Sequence, residues 1–373
     1  MYFSDSILVG LKTGVGIGTV SGASSQAMGF PRPEARIYCK SMRNILTGIK
    51  PTGMPHLGNY LGAIRPALTM AEEKNVEARF FIADYHSLNT VRDAELLRSY
   101  IYEVAAAWLA CGLNPNKVLL YKQSDVPEIF EMTTILMAFT AKGLMNRAHA
   151  YKATVDLNRS KGLDDDHGIN MGVFTYPVLM AADILLFDTD YVPVGKDQVQ
   201  HIEMAQDIAG VLNRNYEEEL LVIPKSRIDE ELMSVPGLDG RKMSKGYNNH
   251  IPLFAPEKEL QKTVMKIVTN SQGVEEPKNP GECNIFALFR LFASETEERA
   301  LAKRYRKGGM GWGEAKQNLF ALLNSRIAPM RARYDELIRN TEGIDAILTE
   351  GAMRARRIAA NTIRRLRRAI GVG

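Results

Sequence analysis

The chain has 373 residues, of which 45% are hydrophobic and 24% are charged. This length is sufficient for two domains, and the composition is ordinary for a globular protein. No run of about 18 uninterrupted apolar residues occurs, so we expect no membrane span. The formal net charge is +4, but the segment from Met353 to Arg368 contains seven arginines and no acidic residue. That uneven distribution predicts that any polyanion-binding surface involves the C-terminal end.

The three cysteines, Cys39, Cys111 and Cys283, are far apart and form no C-x-x-C pair. This spacing argues against a zinc site, an iron–sulfur cluster and a disulfide scaffold. It fits a reducing compartment, and we expect a cytoplasmic protein without a resident metal.

Residues 1–41 are rich in Gly and Ser. They lack the basic and apolar regions of a secretory signal. We expect them to be an extension, disordered or outside the fold, of a protein whose working start is Met42; a transit peptide is the alternative.

The alternation of apolar strands and amphipathic helices begins after residue 42. The predicted strands are Asn44–Ile49, Arg79–Asp84 and Val118–Tyr121. Helices with apolar residues at helical spacing separate them. This order predicts an α/β protein with a parallel sheet covered on both faces, whose ligands lie beyond the carboxyl ends of the strands.

From about Asn249 the pattern predicts helices only. Examples are Pro256–Thr269, Ile285–Phe292 and Leu319–Arg339. We therefore expect an α/β domain over residues 42–248 and a helical domain over residues 249–373.

The first motif with chemical potential follows the first strand, between Gly48 and Tyr60. A Pro/Gly turn leads into a helix whose start carries His56, Gly58 and Asn59. Helix N-termini present free N–H groups and a positive partial charge, so this start favours phosphate. Gly58 lets a nucleotide approach the backbone, and His56 and Asn59 can donate to phosphate oxygens. A polar helix start on the surface is the alternative for this segment alone.

A basic loop much later in the chain reads Gly240-Arg241-Lys242-Met243-Ser244-Lys245-Gly246. Two lysines around a small hydroxyl residue suit a pyrophosphate leaving group, whose charge grows in the transition state. Alone, such a loop is also typical of solvated surface. Together the two motifs resemble the HIGH and KMSKS signatures of class I aminoacyl-tRNA synthetases, here His56-Leu57-Gly58-Asn59 and Lys242-Met243-Ser244-Lys245-Gly246.

The segment Thr175–Phe187 is predicted to be a buried helix with Pro177 in its first turn. Tyr176, Met180 and Asp183 share one face of it, because they are spaced four and three apart. A carboxylate in so apolar a helix needs a partner, and a structural salt bridge is one interpretation. The segment resembles the tryptophanyl-tRNA synthetase family, which implies that Asp183 accepts the indole N–H of the substrate.

Two further segments resemble the same family. Tyr191–Glu203 is similar to its V-P-V-G-x-D-Q-x-Q-H segment, and Asp84-Tyr85-His86 is similar to its D-x-H motif. The resemblance implies tryptophan contacts by Gly48, His86, Tyr176, Met180, Asp183, Val192, Val194 and Gln198. It implies ATP contacts by Lys50, Pro51, Thr52, His56, Gly58, Asn59, Lys152, Gly195, Lys196, Asp197, Leu232, Lys242, Met243, Ser244, Lys245 and Gly246. The residues expected to be catalytic are Lys242, Lys245, His56 and Asn59.

The resemblance implies a Rossmann-like catalytic domain and a helical anticodon-binding domain. It implies that L-tryptophan reacts with ATP to give tryptophanyl-adenylate and pyrophosphate, and is then transferred to the 3′ end of tRNA(Trp). Mg²⁺ is expected to arrive with ATP, and a homodimer is expected. The arginines expected to contact tRNA phosphates share one helical face; they are Arg354, Arg357, Arg364 and Arg368. A merely solvated last helix is the alternative.

Three positions depart from the family pattern: Lys50 replaces a common Gln, His56 a common Thr, and Gly246 the last Ser of KMSKS. Only Lys152 stands where two lysines are common. One hypothesis is that Lys50 takes over part of that phosphate contact in a divergent member.

Three alternatives stay open. The amino acid can be tyrosine or a related aromatic; the protein can be another adenylyl or cytidylyl transferase; or it can be a non-catalytic RNA-binding paralogue. The intact pair Lys242 and Lys245 argues against the last.

Overall fold

The computed structural model describes residues 42–195, 198–228 and 235–373. Within these ranges five strands form one parallel sheet in the order β3-β2-β1-β4-β5. They are β1 (Arg43–Ile49), β2 (Val76–Ile82), β3 (Leu119–Lys122), β4 (Tyr191–Pro193) and β5 (Lys225–Arg227). The predicted α/β class with a parallel sheet is confirmed. The predicted extension, residues 1–41, lies outside the described residues.

The second strand differs from its prediction at both ends. It begins at Val76 and ends at Ile82, and Asp84 opens a short helix instead. Asp84 Oδ1 accepts from the backbone N–H group of its neighbour Tyr85 and from that of the distant Ser124, both at 3.0 Å. These bonds divert the chain from the strand direction. The side chain therefore belongs to the turn, not to the strand.

Helices fill the crossovers between the strands. After β1 the helical segment is continuous but changes type, from α1 (Leu57–Asn59) through the π-helical turn Tyr60–Ile64 to α2 (Arg65–Ala71). The remaining helices of this region are α3 (Asp84–Ser87), α4 (Ala94–Ala110), α5 (Glu128–Ala138), α6 (Lys142–Met145), α7 (His149–Ser160), α8 (Met171–Leu185) and α9 (Val199–Tyr216).

After residue 249 the described chain forms helices and loops. The helices are α10 (Glu257–Met265), α11 (Asn284–Arg290), α12 (Glu295–Lys307), α13 (Trp312–Arg339) and α14 (Glu342–Ile370). The division into a catalytic and an anticodon-binding domain stays a prediction. Within the described ranges, no helix has the length and apolar character needed to cross a membrane.

Apolar residues of the strands point alternately to two faces, as the pleat requires. Ile45 and Phe80 belong to one buried cluster, together with side chains of α4 and α13. Leu46 and Phe81 belong to the other, together with side chains of α5, α8, α9 and α14. The sheet is therefore covered on both faces, as the sequence predicted, and the C-terminal helices contribute to both layers.

The last helix lies against the edge strand of the sheet. A β-carbon added to Gly351 of α14 would stand only 1.7 Å from the carbonyl oxygen of Leu120 in β3. Glycine is therefore required for this approach. Because β3 is an edge strand, α14 covers backbone groups that would otherwise be open to another strand.

The strand order reverses direction between β1 and β4, where Ile45 pairs with Tyr191. Chain crossovers run from β1 to one side through β2 and β3, and from β4 to the other side through β5. Such a reversal leaves a crevice beyond the carboxyl ends of the two central strands. The predicted site residues after β1 and in β4 flank this crevice.

Candidate active site

A cavity of about 480 Å³ lies beyond the carboxyl ends of β1, β2 and β4 and against one face of α8. Seven of the eight predicted tryptophan contacts line it: Gly48, His86, Tyr176, Met180, Asp183, Val192 and Gln198. Its other lining residues include Leu46, Phe81, Ala83, Val173 and Ile184, so the walls are mostly apolar. A cavity of this size with a few polar groups is typical of a small-molecule site.

Asp183 stands at the centre of the polar part of the cavity. It is 0% exposed, and burial raises the pKa of its carboxyl group, while hydrogen bonds from His86 and Gln123 oppose that rise. His86 Nε2 lies 3.0 Å from Oδ2, and Gln123 Nε2 lies 2.9 Å from both oxygens. Since a carboxylate only accepts, both neighbours must donate to it. The pair holds the carboxylate in one orientation.

Gln123 was not predicted from the sequence. It is fully buried at the carboxyl end of β3, in a 3₁₀ turn, and its Oε1 accepts from the backbone N–H of Tyr85 at 3.1 Å. The rule that ligands lie beyond the strand ends would have pointed to this position. The sequence offered no reason to prefer Gln123 over its polar neighbours Lys122 and Ser124, because the contact with Asp183 spans sixty positions.

Helix α8 begins one turn earlier than predicted. Asn170 caps it by accepting from the N–H of Val173 at 2.9 Å, so Pro177 lies inside the helix and not in its first turn. The prediction failed because it assigned Pro177 to the first turn, whereas Met171–Phe174 already form a turn of helix before it. The shared face is nevertheless present, since Tyr176, Met180 and Asp183 all line the cavity.

His201 was quoted only as part of the family segment, yet it takes a place in the cavity. Its Nε2 lies 3.0 Å from the hydroxyl of Tyr176, and the two rings meet edge to face. Burial raises the pKa of Tyr176. His201 thus fixes the direction of a hydroxyl that points into the cavity.

Gly48 and the two valines have different surroundings. A β-carbon at Gly48 would meet the ring of Phe81 at 2.5 Å, so glycine makes room for that ring at the cavity wall. Val192 is buried and lines the cavity. Val194 packs against the apolar cluster beside it but does not line the cavity.

The two signature motifs meet in space. The backbone N–H of Gly58 lies 3.3 Å from the sulfur of Met243, and the buried Met243 side chain anchors the basic loop there. A β-carbon at Gly58 would collide with the ring of His56, at 2.9 Å. The backbone N–H of Leu57 also donates to Ile251 just beyond the loop, at 2.9 Å. These contacts bring the motifs together as the resemblance implied.

His56 and Asn59 form a reciprocal cap at the start of α1. His56 Nδ1 accepts from the N–H of Asn59 at 3.3 Å, and Asn59 Oδ1 accepts from the N–H of His56 at 3.1 Å. Burial, and the electrostatic influence of His250 and Lys245, lower the pKa of His56 to about 4. The imidazole is therefore neutral at physiological pH.

The two lysines of the loop have different positions. Lys245 Nζ donates to the carbonyl oxygen of Thr52 at 2.8 Å, and partial burial of the ammonium lowers its pKa. The nearby carboxylate of Glu103 acts on it in the opposite direction. Lys242 is exposed and forms no ion pair with any residue in the described part of the chain. The Lys245 ammonium therefore lies at the turn Pro51–Gly53, whereas the Lys242 ammonium is exposed on the loop.

Asn249 holds the basic loop in its conformation through hydrogen bonds. The sequence analysis did not predict this role. This buried amide accepts from the N–H of Ser244 at 2.8 Å and donates to Asp239 at 2.7 Å and to the carbonyl of Lys242 at 3.2 Å. Ser244 in turn accepts from the N–H of Gly246 at 3.2 Å. The loop conformation is therefore held by the uncharged side chains of Asn249 and Ser244 together with the carboxylate of Asp239.

The other predicted ATP contacts are distributed as follows. Lys50 lines the cavity and burial lowers its pKa, while Pro51 is buried and its carbonyl accepts from Ser87 at 3.0 Å. Lys152 is exposed on α7 and Gly195 follows β4. Lys196, Asp197 and Leu232 lie outside the described residues.

The C-terminal arginines fall into two groups on α14. Three of them hold the helix to the rest of the protein, through the pairs Arg356–Glu128 at 3.2 Å, Arg365–Asp188 at 2.6 Å and Arg367–Glu131 at 2.6 Å. The four predicted to contact tRNA, Arg354, Arg357, Arg364 and Arg368, have no ion pair with the described residues and lie opposite the buried side of the helix.

No group of three or more His, Cys, Asp or Glu side chains suitable for a metal ion occurs in the part of the chain that the structure describes. Cys111 and Cys283 are free thiols there. Cys39 lies outside that part.

Comparisons with known proteins agree with this geometry. The model of the family tRNA synthetases class I (W and Y) matches residues 40–328. A tryptophan–tRNA ligase of Bordetella parapertussis is 52% identical over 88% of this chain and 73% of its own length, and one of Neisseria meningitidis is 46% identical over 89% and 98%. The crystal structure of tryptophanyl-tRNA synthetase from Campylobacter jejuni complexed with ADP and tryptophan superposes with a TM-score of 0.80, at 43% identity, covering 88% of this chain and 99% of that one.

A parallel sheet with a central crevice, and two signature motifs in contact beside it, define a class I aminoacyl-tRNA synthetase. The chain belongs to the tRNA synthetases class I (W and Y). Within that family it is similar to the tryptophan–tRNA ligases, to which it is identical at about half of the aligned positions.

Proposed function

We propose that this enzyme activates L-tryptophan with ATP and transfers it to tRNA(Trp). The observation that carries the proposal is the buried carboxylate of Asp183, held by His86 and Gln123 in an apolar cavity beside the contact between the two signature motifs. The similarity to tryptophan–tRNA ligases supports the same substrate.

Specificity for tryptophan follows from the chemistry of Asp183. An ionised carboxylate offers about four acceptor positions, and His86 and Gln123 leave room for a third donor. The indole N–H is such a donor at the end of a large apolar ring. An amino acid without a donor at this depth leaves the buried carboxylate short of a partner, which can cost as much as ~10⁴–10⁵-fold in kcat/KM. Gln198 lines the same cavity and is assigned to the substrate ammonium.

Activation is an in-line displacement. A carboxylate oxygen of tryptophan forms a bond to the α-phosphorus of ATP, the bond to the bridging oxygen breaks, and pyrophosphate leaves. Lys242 and Lys245 stabilise the negative charge that grows on the leaving group. The substrate is the magnesium complex of ATP, with Mg²⁺ held mainly by phosphate oxygens and water. The enzyme contributes positioning and charge.

The cap at α1 determines which atoms of His56 and Asn59 remain for ATP. Since His56 Nδ1 accepts the N–H of Asn59, the neutral ring carries its proton on Nε2. Asn59 uses Oδ1 in the cap and keeps its amide N–H groups. Both residues therefore present donors, which suits the oxygens of the triphosphate.

The transfer step requires tRNA. A hydroxyl of its 3′-terminal ribose attacks the acyl carbon of the adenylate, and AMP leaves. The face formed by the half-buried Arg354 and the exposed Arg357, Arg364 and Arg368 suits the tRNA backbone, because arginine pairs well with phosphate. We assign residues 249–373 to tRNA anticodon binding and expect a homodimer that works in the cytoplasm, where charged tRNA is used.

ATP–pyrophosphate exchange tests the proposal. The purified protein is assayed with tryptophan, with tyrosine and without an amino acid. We expect exchange that requires tryptophan. Exchange with tyrosine alone would overturn the assignment of the cavity, and absence of exchange from folded protein that binds tRNA would favour a non-catalytic paralogue.

A further inference from the structure

A second histidine lies beside the histidine of the first signature motif. The ring centroids of His56 and His250 are 5.8 Å apart, with the planes inclined by 50°. The backbone keeps them together, because His56 pairs with Pro252 in an antiparallel bridge and Leu253 donates to the carbonyl of Pro55 at 2.9 Å. His250 lies four residues after Gly246, the last residue of the basic loop. It therefore joins the loop to the start of α1.

His250 carries a polar atom that the fold does not satisfy. Its Nδ1 is buried and has no hydrogen-bond partner among the residues that the structure describes. Leaving such an atom unpaired costs free energy, and native proteins usually reserve these positions for a ligand or a functional role. The charges acting on the ring are positive, since Lys245 lowers the pKa of His250 and of His56. Glu103 acts on Lys245 and is not among the groups that shift His250.

The surroundings of His250 indicate an anionic ligand. Lys245, the Nε2–H of His56 and the amide of Asn59 all belong to the same corner and are all donors. Burial lowers the pKa of His250, so the ring is neutral at physiological pH and keeps one N–H to donate. A neutral imidazole contacts phosphate oxygens without adding positive charge next to Lys245.

We propose that His250 is a further ligand of the ATP phosphates, donating an imidazole N–H to the oxygens that leave as pyrophosphate. The inference rests on the proposed function, since it assigns a residue to the same nucleotide site. It pairs His250 with His56 as two neutral donors on one side of the leaving group, while Lys242 and Lys245 supply the charge.

Two substitutions and a control test the assignment. His250→Phe keeps a ring of similar width but removes the donor, and His250→Gln restores an N–H. The control is His149→Phe, an exposed histidine on α7. In ATP–pyrophosphate exchange we expect His250→Phe to lower kcat/KM for ATP and for pyrophosphate about 10-fold or more. His250→Gln should recover part of that loss, and His149→Phe should match the wild type.

Titration calorimetry with tryptophan alone and with magnesium pyrophosphate alone gives a second readout. We expect His250→Phe to bind tryptophan like the wild type and pyrophosphate more weakly. If both His250 variants lost tryptophan affinity and melting temperature to the same extent as each other, His250 would have a structural role, and the proposal would be overturned. Unchanged ATP and pyrophosphate kinetics in folded His250→Phe would also overturn it.

The two proposals fail in different ways. If the wild type shows no exchange with any amino acid, the proposed function fails, and the pyrophosphate titration alone decides the role of His250. In that case equal pyrophosphate affinity of the wild type and His250→Phe, or no pyrophosphate binding by the wild type, overturns the assignment.

Discussion

Replacing Gln123 by leucine removes the amide that holds both oxygens of the buried Asp183 carboxylate. Gln123 Nε2 is 2.9 Å from each oxygen, and both side chains are completely buried. Hydrogen bonds to a charged group contribute about 1.5–3 kcal/mol. The N–H of Tyr85 keeps its second acceptor, Asp84, so it adds little to this cost. We therefore expect Gln123→Leu to lower the free energy of unfolding by roughly 2 kcal/mol.

The same loss should appear in catalysis and depend on pH. With its carboxylate no longer held, Asp183 binds the indole less well, and kcat/KM for tryptophan should fall about 10-fold or more while KM for ATP stays unchanged. Burial raises the pKa of Asp183 in the folded protein, so folding favours the protonated form and loses stability as pH rises through that pKa. Gln123 opposes this rise. The stability deficit of Gln123→Leu should thus be largest near neutral pH and shrink on acidification.

Exchange kinetics with varied tryptophan measure the catalytic effect. Thermal unfolding between about pH 5 and about pH 8 measures the stability effect. Gln317→Leu, an exposed change on α13, is the matched control. Wild-type kcat/KM for tryptophan in Gln123→Leu, or an equal rise in KM for ATP, would refute the reasoning. A stability deficit that grows on acidification would refute the assigned sign.

Three further predictions concern the nucleotide and tRNA contacts. Lys245→Ala should lower the rate of activation about 10²–10³-fold, because it removes a charge that acts on the leaving group, while calorimetry should show unchanged tryptophan binding. Lys50→Gln should raise KM for ATP several-fold in exchange assays, since Lys50 lies at the cavity wall and is expected from the sequence to supply a phosphate contact. The double variant Arg357→Glu and Arg364→Glu should raise KM for tRNA in aminoacylation, flatten its dependence on salt, and leave exchange unaffected.

Each of these predictions has an outcome that contradicts it. Equal loss of activation and of tryptophan binding in Lys245→Ala would show that the loop is structural. Unchanged ATP kinetics in Lys50→Gln would show that Lys50 does not contact the ATP phosphates. Lys307→Glu, an exposed reversal on α12, controls for net charge in the tRNA experiment. An equal rise in KM for tRNA in Lys307→Glu and in the arginine variant would mean that α14 offers no specific surface for tRNA.

The parts of the fold that the sequence predicted are those with local causes. Asn44–Ile49 and Val118–Tyr121 are apolar runs between turn residues, and the structure moves their ends by one residue at most. Strands β4 and β5 were missed as strands because each is three residues long and forms only by pairing across the sheet. Their pairing partners are distant in sequence, so no local pattern marks them.

The candidate site divides in the same way. His56, Asp183 and Lys245 could be found because they stand in segments with recognisable chemistry, and the structure brings their segments together around the crevice. Gln123, Asn249 and His250 could not be found, because each acts through a contact with a residue that the chain reaches only by folding. The split of the α14 arginines into paired and unpaired groups also depends on Glu128, Asp188 and Glu131, which no periodicity reveals.

The position of α14 also governs the order in which the molecule is completed during synthesis. Strand β3 ends at Lys122, whereas the glycine that packs on its outer edge, Gly351, emerges about 230 residues later. At elongation rates of about 5–20 residues per second, the ribosome leaves that edge open for roughly 10–45 seconds. An open edge is a template for strands of other nascent chains. Premature termination before residue 351 would make this exposure permanent, so truncated chains should precipitate even though every residue of the cavity has been made.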